Sequence, residues 1–336
     1  MPSSSTSSSD LSPGAHLRRA LIFGLGVLAL LVVLDRAAGV VLERLFTQSR
    51  AGEMAGQLNL MLESAQDADI VILGSSRARH HYDPAVIEPL VAGRSMFNLG
   101  ASGQELSYAR VVQRLMFQNG ARPSCFVLQL DHPSMFVPLG ARVASLRPYA
   151  GRDVEVDAVL REQIPWFDLK RHFALWRFNS ISLALLINVG KRDTLGQGFV
   201  PLSGNRAVLQ QFEERLQRLT PSSPLMPVGA EALDYVGRII TDAHAHGARV
   251  VLITGPRHDR NAEGDLIFNP HRDHLREEVA RAAATWAVPY TDVHERAFPA
   301  LQAAELWADP GHLNAEGAAV FSAIVADFIA SGCAAP

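Results

Sequence analysis

The sequence predicts an α/β fold: a parallel sheet with helices on both of its faces. Three observations predict it. Short, continuous apolar runs alternate with longer segments of helical periodicity, the pattern of strands buried on both faces and joined by helices. The first such run, Val71-Ile72-Leu73, stops at a small-residue turn, Gly74-Ser75-Ser76. The closing helix is entered through Asp309-Pro310-Gly311-His312-Leu313-Asn314. Ligands of such sheets bind beyond the carboxyl ends of the strands. Ser76, Gly103, Asp131 and Arg257 all follow strand ends and are expected at one edge.

Residues 1–19 read as a disordered cytoplasmic tail, because Ser3-Ser4-Ser5-Thr6-Ser7-Ser8-Ser9 is low-complexity and polar, with nothing to bury. Arg18-Arg19 precedes the apolar run 20–34. Alone that run falls short of the ~20 residues a span needs. Past Asp35-Arg36 it continues to residue 42, and 20–42 reads as a transmembrane anchor. The paired arginines favour a cytoplasmic N-terminus. The rival reading is a cleaved signal peptide with Ala37-Ala38-Gly39 at its cleavage site. Either way the remainder is exported. Residues 43–66, rich in Glu, Gln, Leu and Met, read as a helical stalk, and 67–332 as the folded domain.

Within that domain 69–73 is the first strand and 96–99 a short second one. Residues 104–118 have helical periodicity, with Leu106, Val111, Leu115 and Met116 toward the core, and Gly120 stops them. The third strand is 124–130. Residues 132–229 form an insertion that carries Trp166, Phe167, Phe173, Trp176 and Phe178. Its apolar stretch 181–189 is too short to span and reads as helical, packed on the sheet edge. The aromatics are core, or line a cleft or a membrane-facing surface. Then follow a helix over 230–246, the fourth strand over 248–254, a helix over 271–287, a short strand over 289–293 and the closing helix over 315–330.

The 336 residues allow one large or two small domains and a sizeable core, with 48% hydrophobic and 19% charged residues. The net charge is −3 and no basic stripe argues for nucleic acid. The two cysteines, Cys125 and Cys333, make no disulfide framework. Cys125 reads as a small buried hydrophobe and Cys333, near the end, as mobile. No Cys/His cluster has zinc spacing, so no metal or cofactor is expected. His80-His81 are adjacent, do not share a helix face, and read as solvated or substrate-facing.

The chemistry is carried by Ser76, Asp309 and His312. A serine hydroxyl is a weak nucleophile until an imidazole can take its proton, and the imidazole needs a carboxylate to fix its tautomer and steady its charge. The bland reading is that Ser76 caps a helix and that Asp309 and Asn314 turn the chain into the last helix. The order and spacing of all the pieces together favour acyl chemistry.

On these residues the chain resembles the SGNH (GDSL-type) hydrolases. Gly74-Ser75-Ser76 matches the family's first block, with Ser75 where the family has Asp and the nucleophile at Ser76. Asn98-Leu99-Gly100-Ala101-Ser102-Gly103 matches the second, whose oxyanion glycine falls on Gly103, beside the N–H of Ser76. Asp309 and His312 match the last. The third block is Gly-x-Asn-Asp in the family. Here the stretch Val127-Leu128-Gln129-Leu130-Asp131-His132-Pro133 has no Asn, so half of the oxyanion hole has no assigned donor. The resemblance covers 67–131 and 247–330. It implies a three-layer, flavodoxin-like SGNH hydrolase fold, here with a helical insertion and an N-terminal transmembrane helix. Arg77, Asp131, His132 and Arg257 are candidates for substrate binding.

Anchored members with a large insertion and a Gly-Ser-Ser turn are similar to the accessory proteins of bacterial polymer acylation, the D-alanyl transfer protein of teichoic acids and the alginate acetylation proteins. That likeness implies an O-acyltransferase or esterase in the periplasm, held on the inner membrane. It would act on acyl esters of a cell-surface polysaccharide, beside a multi-pass membrane O-acyltransferase. Two other classes stay open: a free-standing exported esterase or lipase, and a non-catalytic scaffold for a membrane O-acyltransferase.

Overall fold

A computed structural model of the chain describes residues 13–52, 56–130, 135, 142–204, 224–260, 265–266, 269–294 and 297–334. The apolar runs enter one sheet. Strands β1 (Ile70–Leu73), β2 (Met96–Asn98), β3 (Cys125–Leu130), β4 (Arg249–Thr254) and β5 (Tyr290–Asp292) pair in parallel in the order β2-β1-β3-β4-β5. This is the flavodoxin-like doubly wound order, whose switch point lies between β1 and β3. A short antiparallel pair, β6 (Trp307–Asp309) and β7 (His312–Leu313), stands apart from it.

The helices α1 (Pro13–Gln48), α2 (Gln57–Ser64), α3 (Ser76–His81), α4 (Pro84–Ile87) and α5 (Leu106–Gln118) precede β3 or flank β1 and β2. The insertion contributes α6 (Val154–Gln163), α7 (Phe167–Lys170), α8 (Ala174–Phe178) and α9 (Ser182–Ile187). Then come α10 (Ala230–Ala245), α11 (Pro270–Trp286) and α12 (Ala315–Cys333). Side chains alternate along the strands and feed two cores. Val71, Leu73, Phe126, Leu128 and Leu252 join α5, α10 and the insertion on one face. Ile70, Ile72, Val127, Val251 and Ile253 join α3, α4 and α12 on the other. The positions expected to face the core on α5, Leu106, Val111, Leu115 and Met116, are all buried.

The N-terminal region departs from expectation. Helix α1 runs unbroken past Asp35, and its residues from Leu17 to Leu34 present large exposed hydrophobics. Beyond that it is docked. Asp35 is buried and accepts from the N–H groups of Ala174 and Leu175 at 3.0 and 2.9 Å. Gly39 lies so close to α8 that a Cβ there would stand 2.7 Å from Cβ of Ala174. Within the segment read as a stalk, Phe46, Leu60 and Leu62 are buried, and two of them join the main core. An amphipathic segment beside a folded domain gains by burying its apolar face there rather than standing free in water. Among the described residues two helices are long and apolar enough to cross a membrane, the N-terminal one with 11% of its most apolar window buried and α12 with 50%. The second is accounted for by the core it packs into.

The cysteines are paired, against expectation. Cys125, the first residue of β3, and Cys333, the last of α12, are joined by a disulfide with their Cα atoms 5.5 Å apart across 208 residues of sequence. Cys333 is therefore neither exposed nor loose. Neighbourhood in sequence says nothing about such a pair, because only the packing of α12 against the sheet brings the two thiols within bonding reach.

Candidate active site

β1 ends in a turn that only glycine fits. Gly74 has φ +147, and a Cβ there would meet Cβ of Gln129 at 2.8 Å and of Ala78 at 2.9 Å. The turn opens α3, whose first residue is Ser76 and whose N-cap position is held by Ser75. Ser76 thus does not cap the helix.

β2 is carried to the same turn. Leu99 N–H donates to Ile72 C=O at 2.8 Å and Ala101 N–H to Gly74 C=O at 3.1 Å. Asn98, fully buried, donates through Nδ2 to the carbonyls of Ala78 and Tyr82 and accepts from Gly100 N–H, so it ties α3 to the loop after β2. That loop closes as a turn through Gln104 N–H to Ala101 C=O at 3.0 Å, with Gly103 at φ +69.

On the far side, β6 and β7 set Asp309 opposite His312. The buried Trp307 anchors this hairpin by donating from Nε1 to Leu301 C=O at 3.0 Å. Asn314 caps α12 by accepting from Gly317 N–H. A side chain at 317 would strike the Leu306 carbonyl at 2.1 Å, so Gly317 permits the close approach.

These elements bring three residues into one chain of hydrogen bonds. Ser76 Oγ lies 2.8 Å from His312 Nε2, and His312 Nδ1 lies 2.9 and 3.0 Å from the two oxygens of Asp309. Asp309 also accepts from Gly311 N–H at 2.7 Å. Burial pushes its carboxyl up, but the His312 hydrogen bond and charge, together with the N–H groups of Gly311 and His312, outweigh that and hold it below the usual carboxylate range. An ionised carboxylate on Nδ1 leaves Nε2 free to accept a proton from the hydroxyl.

The Asp309–Leu313 loop is clamped from two sides. Arg77, buried, donates from Nε to Gly311 C=O at 3.0 Å. Leu313 N–H donates to His81 Nε2 at 3.1 Å, which leaves the His81 proton on Nδ1. His258 N–H donates to Pro310 C=O at 3.0 Å, carrying the segment after β4 onto the same loop. Arg77 therefore binds the protein's own backbone. Arg257 is half-buried in that same segment. Asp131 and His132 lie outside the described residues.

Nor is His80-His81 a solvated pair. Both rings are buried, and each stands edge-on to His312, at 5.9 and 6.2 Å between centroids. His80 donates from Nδ1 to Val200 C=O at 2.6 Å, so its Nε2 accepts from the Ser102 hydroxyl at 3.1 Å. Desolvation lowers the pKa of both, that of His81 well below the ordinary imidazole value. The signal for them was present in the sequence at a different spacing. Ser76 and His80, and Arg77 and His81, are four apart and share helix faces.

A cavity of about 290 Å³ opens beside the loop after β2, lined among others by Phe46, Met61, Arg79, Ser102, Tyr108 and Tyr149. Ser102 connects its wall through His80 to the His312 ring. Among the described residues no group of three His, Cys, Asp or Glu side chains could hold a metal ion.

No family model and no curated protein matches the chain. Comparison with solved structures returns a chain from Bacteroides fragilis NCTC 9343 provisionally assigned as an acylhydrolase, 13% identical, covering 82% of this chain and 95% of its own, at a TM-score of 0.39. It also returns a chain from Parabacteroides merdae ATCC 43184 provisionally assigned as a GDSL-like lipase, 9% identical, covering 80% of this chain and 97% of its own, again at 0.39. Scores this low carry no statement about the chemistry of this chain, which rests on its own α/β topology and side-chain geometry.

Proposed function

We propose that the chain is an exported serine acyl-transfer enzyme of SGNH type, an O-acyltransferase or esterase acting on acyl, first of all acetyl, esters of a cell-surface polysaccharide. The observation that supports it most is the 2.8 Å contact of Ser76 Oγ with His312 Nε2, on an imidazole held by Asp309. Ser76 Oγ attacks the acyl carbonyl carbon while His312 Nε2 takes its proton. The carbonyl oxygen becomes the oxyanion, held by the N–H groups of Ser76 and Gly103. The C–O bond to the leaving alcohol breaks, and His312 returns the proton to that alcohol. The acyl-enzyme then passes its acyl group to a second hydroxyl, a sugar's or water's, which His312 deprotonates in turn. A sugar acceptor makes the enzyme a transferase and water makes it an esterase.

Export and anchoring at the inner membrane are part of the same reading. The exposed apolar segment of α1 favours a span, and the Cys125–Cys333 disulfide suits an oxidising compartment such as the periplasm. A multi-pass membrane O-acyltransferase is the partner this reading expects. The hydrogen-bonded geometry favours an enzyme over a bare scaffold, since a scaffold has no use for it.

The test is labelling of the full chain in membranes with a fluorophosphonate, alongside turnover of an acetyl ester. Wild type should label, Ser76→Ala should not, and turnover should fall about 10⁶-fold in Ser76→Ala or His312→Ala, no further in the double variant, and about 10⁴-fold in Asp309→Asn. Undiminished labelling of Ser76→Ala, or losses that multiply in the double variant, would overturn the assignment.

A further inference from the structure

A second cavity lies where the exposed part of α1 meets the folded domain. It is open, about 590 Å³, and among its lining residues are Arg36, Glu43, Arg152, Arg171, His172 and Arg177. Four of these are arginines. Glu43 is shared by Arg152 at 3.0 Å and Arg177 at 2.8 Å, and Arg171 holds Asp157 at 2.7 Å. Four arginines and one carboxylate, Glu43, line the cavity, so its lining is net positive even though Asp157 and, at 4.0 Å, Asp168 pair with Arg171 from outside it. Arg36 sits on the exposed side of α1, directly after the buried Asp35.

The surroundings of this basic cavity are apolar. Helices α8 and α9 pack on α1. They carry Leu175, Leu183, Leu186 and Ile187, each 52–69% exposed, and Val40 on α1 is 73% exposed. Trp166, at the N-cap of α7, is 78% exposed. Isolated exposed hydrophobics need no explanation, but a group of them beside an apolar spanning segment does. Apolar side chains, an interfacial Trp and arginines together at the end of a span are the arrangement that meets the boundary between acyl chains and headgroups.

We infer that this cavity binds the phosphodiester headgroup of an anionic phospholipid, with the apolar side chains of α8, α9 and Val40 seated in the adjoining acyl region. The inference rests on the reading of α1 as an uncleaved anchor and is independent of the catalytic assignment. The sign of the cavity's charge selects an anion, and its position at the foot of the span selects a lipid over a soluble phosphate. Seated this way, the domain would be held flat on the membrane rather than tethered at a distance.

The experiment uses the full chain in nanodiscs of phosphatidylcholine with and without phosphatidylglycerol, with retained lipid counted by native mass spectrometry after release. Wild type should retain phosphatidylglycerol over phosphatidylcholine. Arg36→Gln/Arg171→Gln should weaken that retention about 30-fold, the size expected for two arginines at an anionic surface. Arg36→Gln alone, at an exposed position, should weaken it about fivefold, and Arg36→Lys should restore it because the charge is kept. Equal retention of both lipids, no loss in Arg36→Gln, or displacement of phosphatidylglycerol by millimolar inorganic phosphate would overturn the inference while leaving the anchor intact. Failure of the chain to insert at all would sink the anchor and the inference together. Fluorophosphonate labelling reports on Ser76 separately in every arm.

Discussion

His81 receives no proton from Ser76, yet it positions the residue that does. Its ring is fully buried between α3 and α12, and its Nε2 holds Leu313 N–H next to His312. That bond requires the neutral tautomer. Desolvation, helped by the charges of Arg77, His312 and His80, keeps the folded imidazole well below the 6.5 of a free one. Below pH 6.5 the unfolded chain therefore binds more protons than the folded chain, and stability falls as pH drops from that point toward the folded value. Urea unfolding midpoints at pH 7.5 and pH 5 should show this loss. His81→Gln, whose amide oxygen can accept from the same N–H without titrating, should remove part of it. An unchanged pH dependence in that variant would assign the acid sensitivity to other groups, such as His80 or the carboxylates.

Helix α1 gives the same sequence two environments. From Leu21 to Leu34 it presents exposed hydrophobics, and from Asp35 one face of it is docked on the insertion while Arg36, Val40 and Val41 stay exposed. Asp35 is the hinge of that change, since its carboxylate satisfies two N–H groups at the start of α8 that have no partner within the helix. Asp35→Ala should leave those donors unpaired and cost roughly 1–3 kcal/mol. Amide hydrogen exchange over 174–187 should accelerate, while Ser76 labelling stays as in wild type because α8 touches none of the catalytic loops described. Unchanged exchange over that segment would show that α8 and α9 are held by their apolar contacts alone. The segment read as a stalk, 43–66, carries buried residues at the end of α1 and on α2. Composition reveals helical propensity, but not whether the apolar face of Phe46, Leu60 and Leu62 has a partner.

At the scale of the molecule, the sheet and α12 are tied by one covalent bond. The Cys125–Cys333 disulfide closes a loop of 208 residues, and a constraint on so long a loop stabilises mainly by restricting the unfolded chain, by roughly 2–5 kcal/mol. Cys333→Ser should lower the melting temperature, and dithiothreitol should bring wild type down to the same value while leaving the variant unmoved. If dithiothreitol does not shift wild type, the folded protein does not depend on the bond. Because α12 starts at Ala315, three residues after His312, loosening its far end should also raise the mobility of the Asp309–His312 hairpin, visible as a fall in fluorophosphonate labelling rate.

The sequence by itself determined the α/β class, the five strands of the parallel sheet, Ser76 after the first of them, and Asp309 and His312 ahead of the last helix, though not the β6–β7 hairpin that carries them. These are short-range facts: continuous apolar runs, a glycine turn, an Asp-x-x-His spacing. Arg77 was also legible as a neighbour of the site, though not that it binds Gly311 rather than a ligand. Only the tertiary structure decided what joins across long separations. It set the 2.8 Å from Ser76 to His312, the pairing of Cys125 with Cys333, the burial of His80 and His81 against the His312 ring, and the docking of the anchor's foot on the insertion. The physical reason is the same in each case. Local pattern reports which face of an element is apolar or which turn a chain can make, whereas a contact between distant residues depends on the packing of whole layers, and that is a property of the sheet order and the two cores it creates.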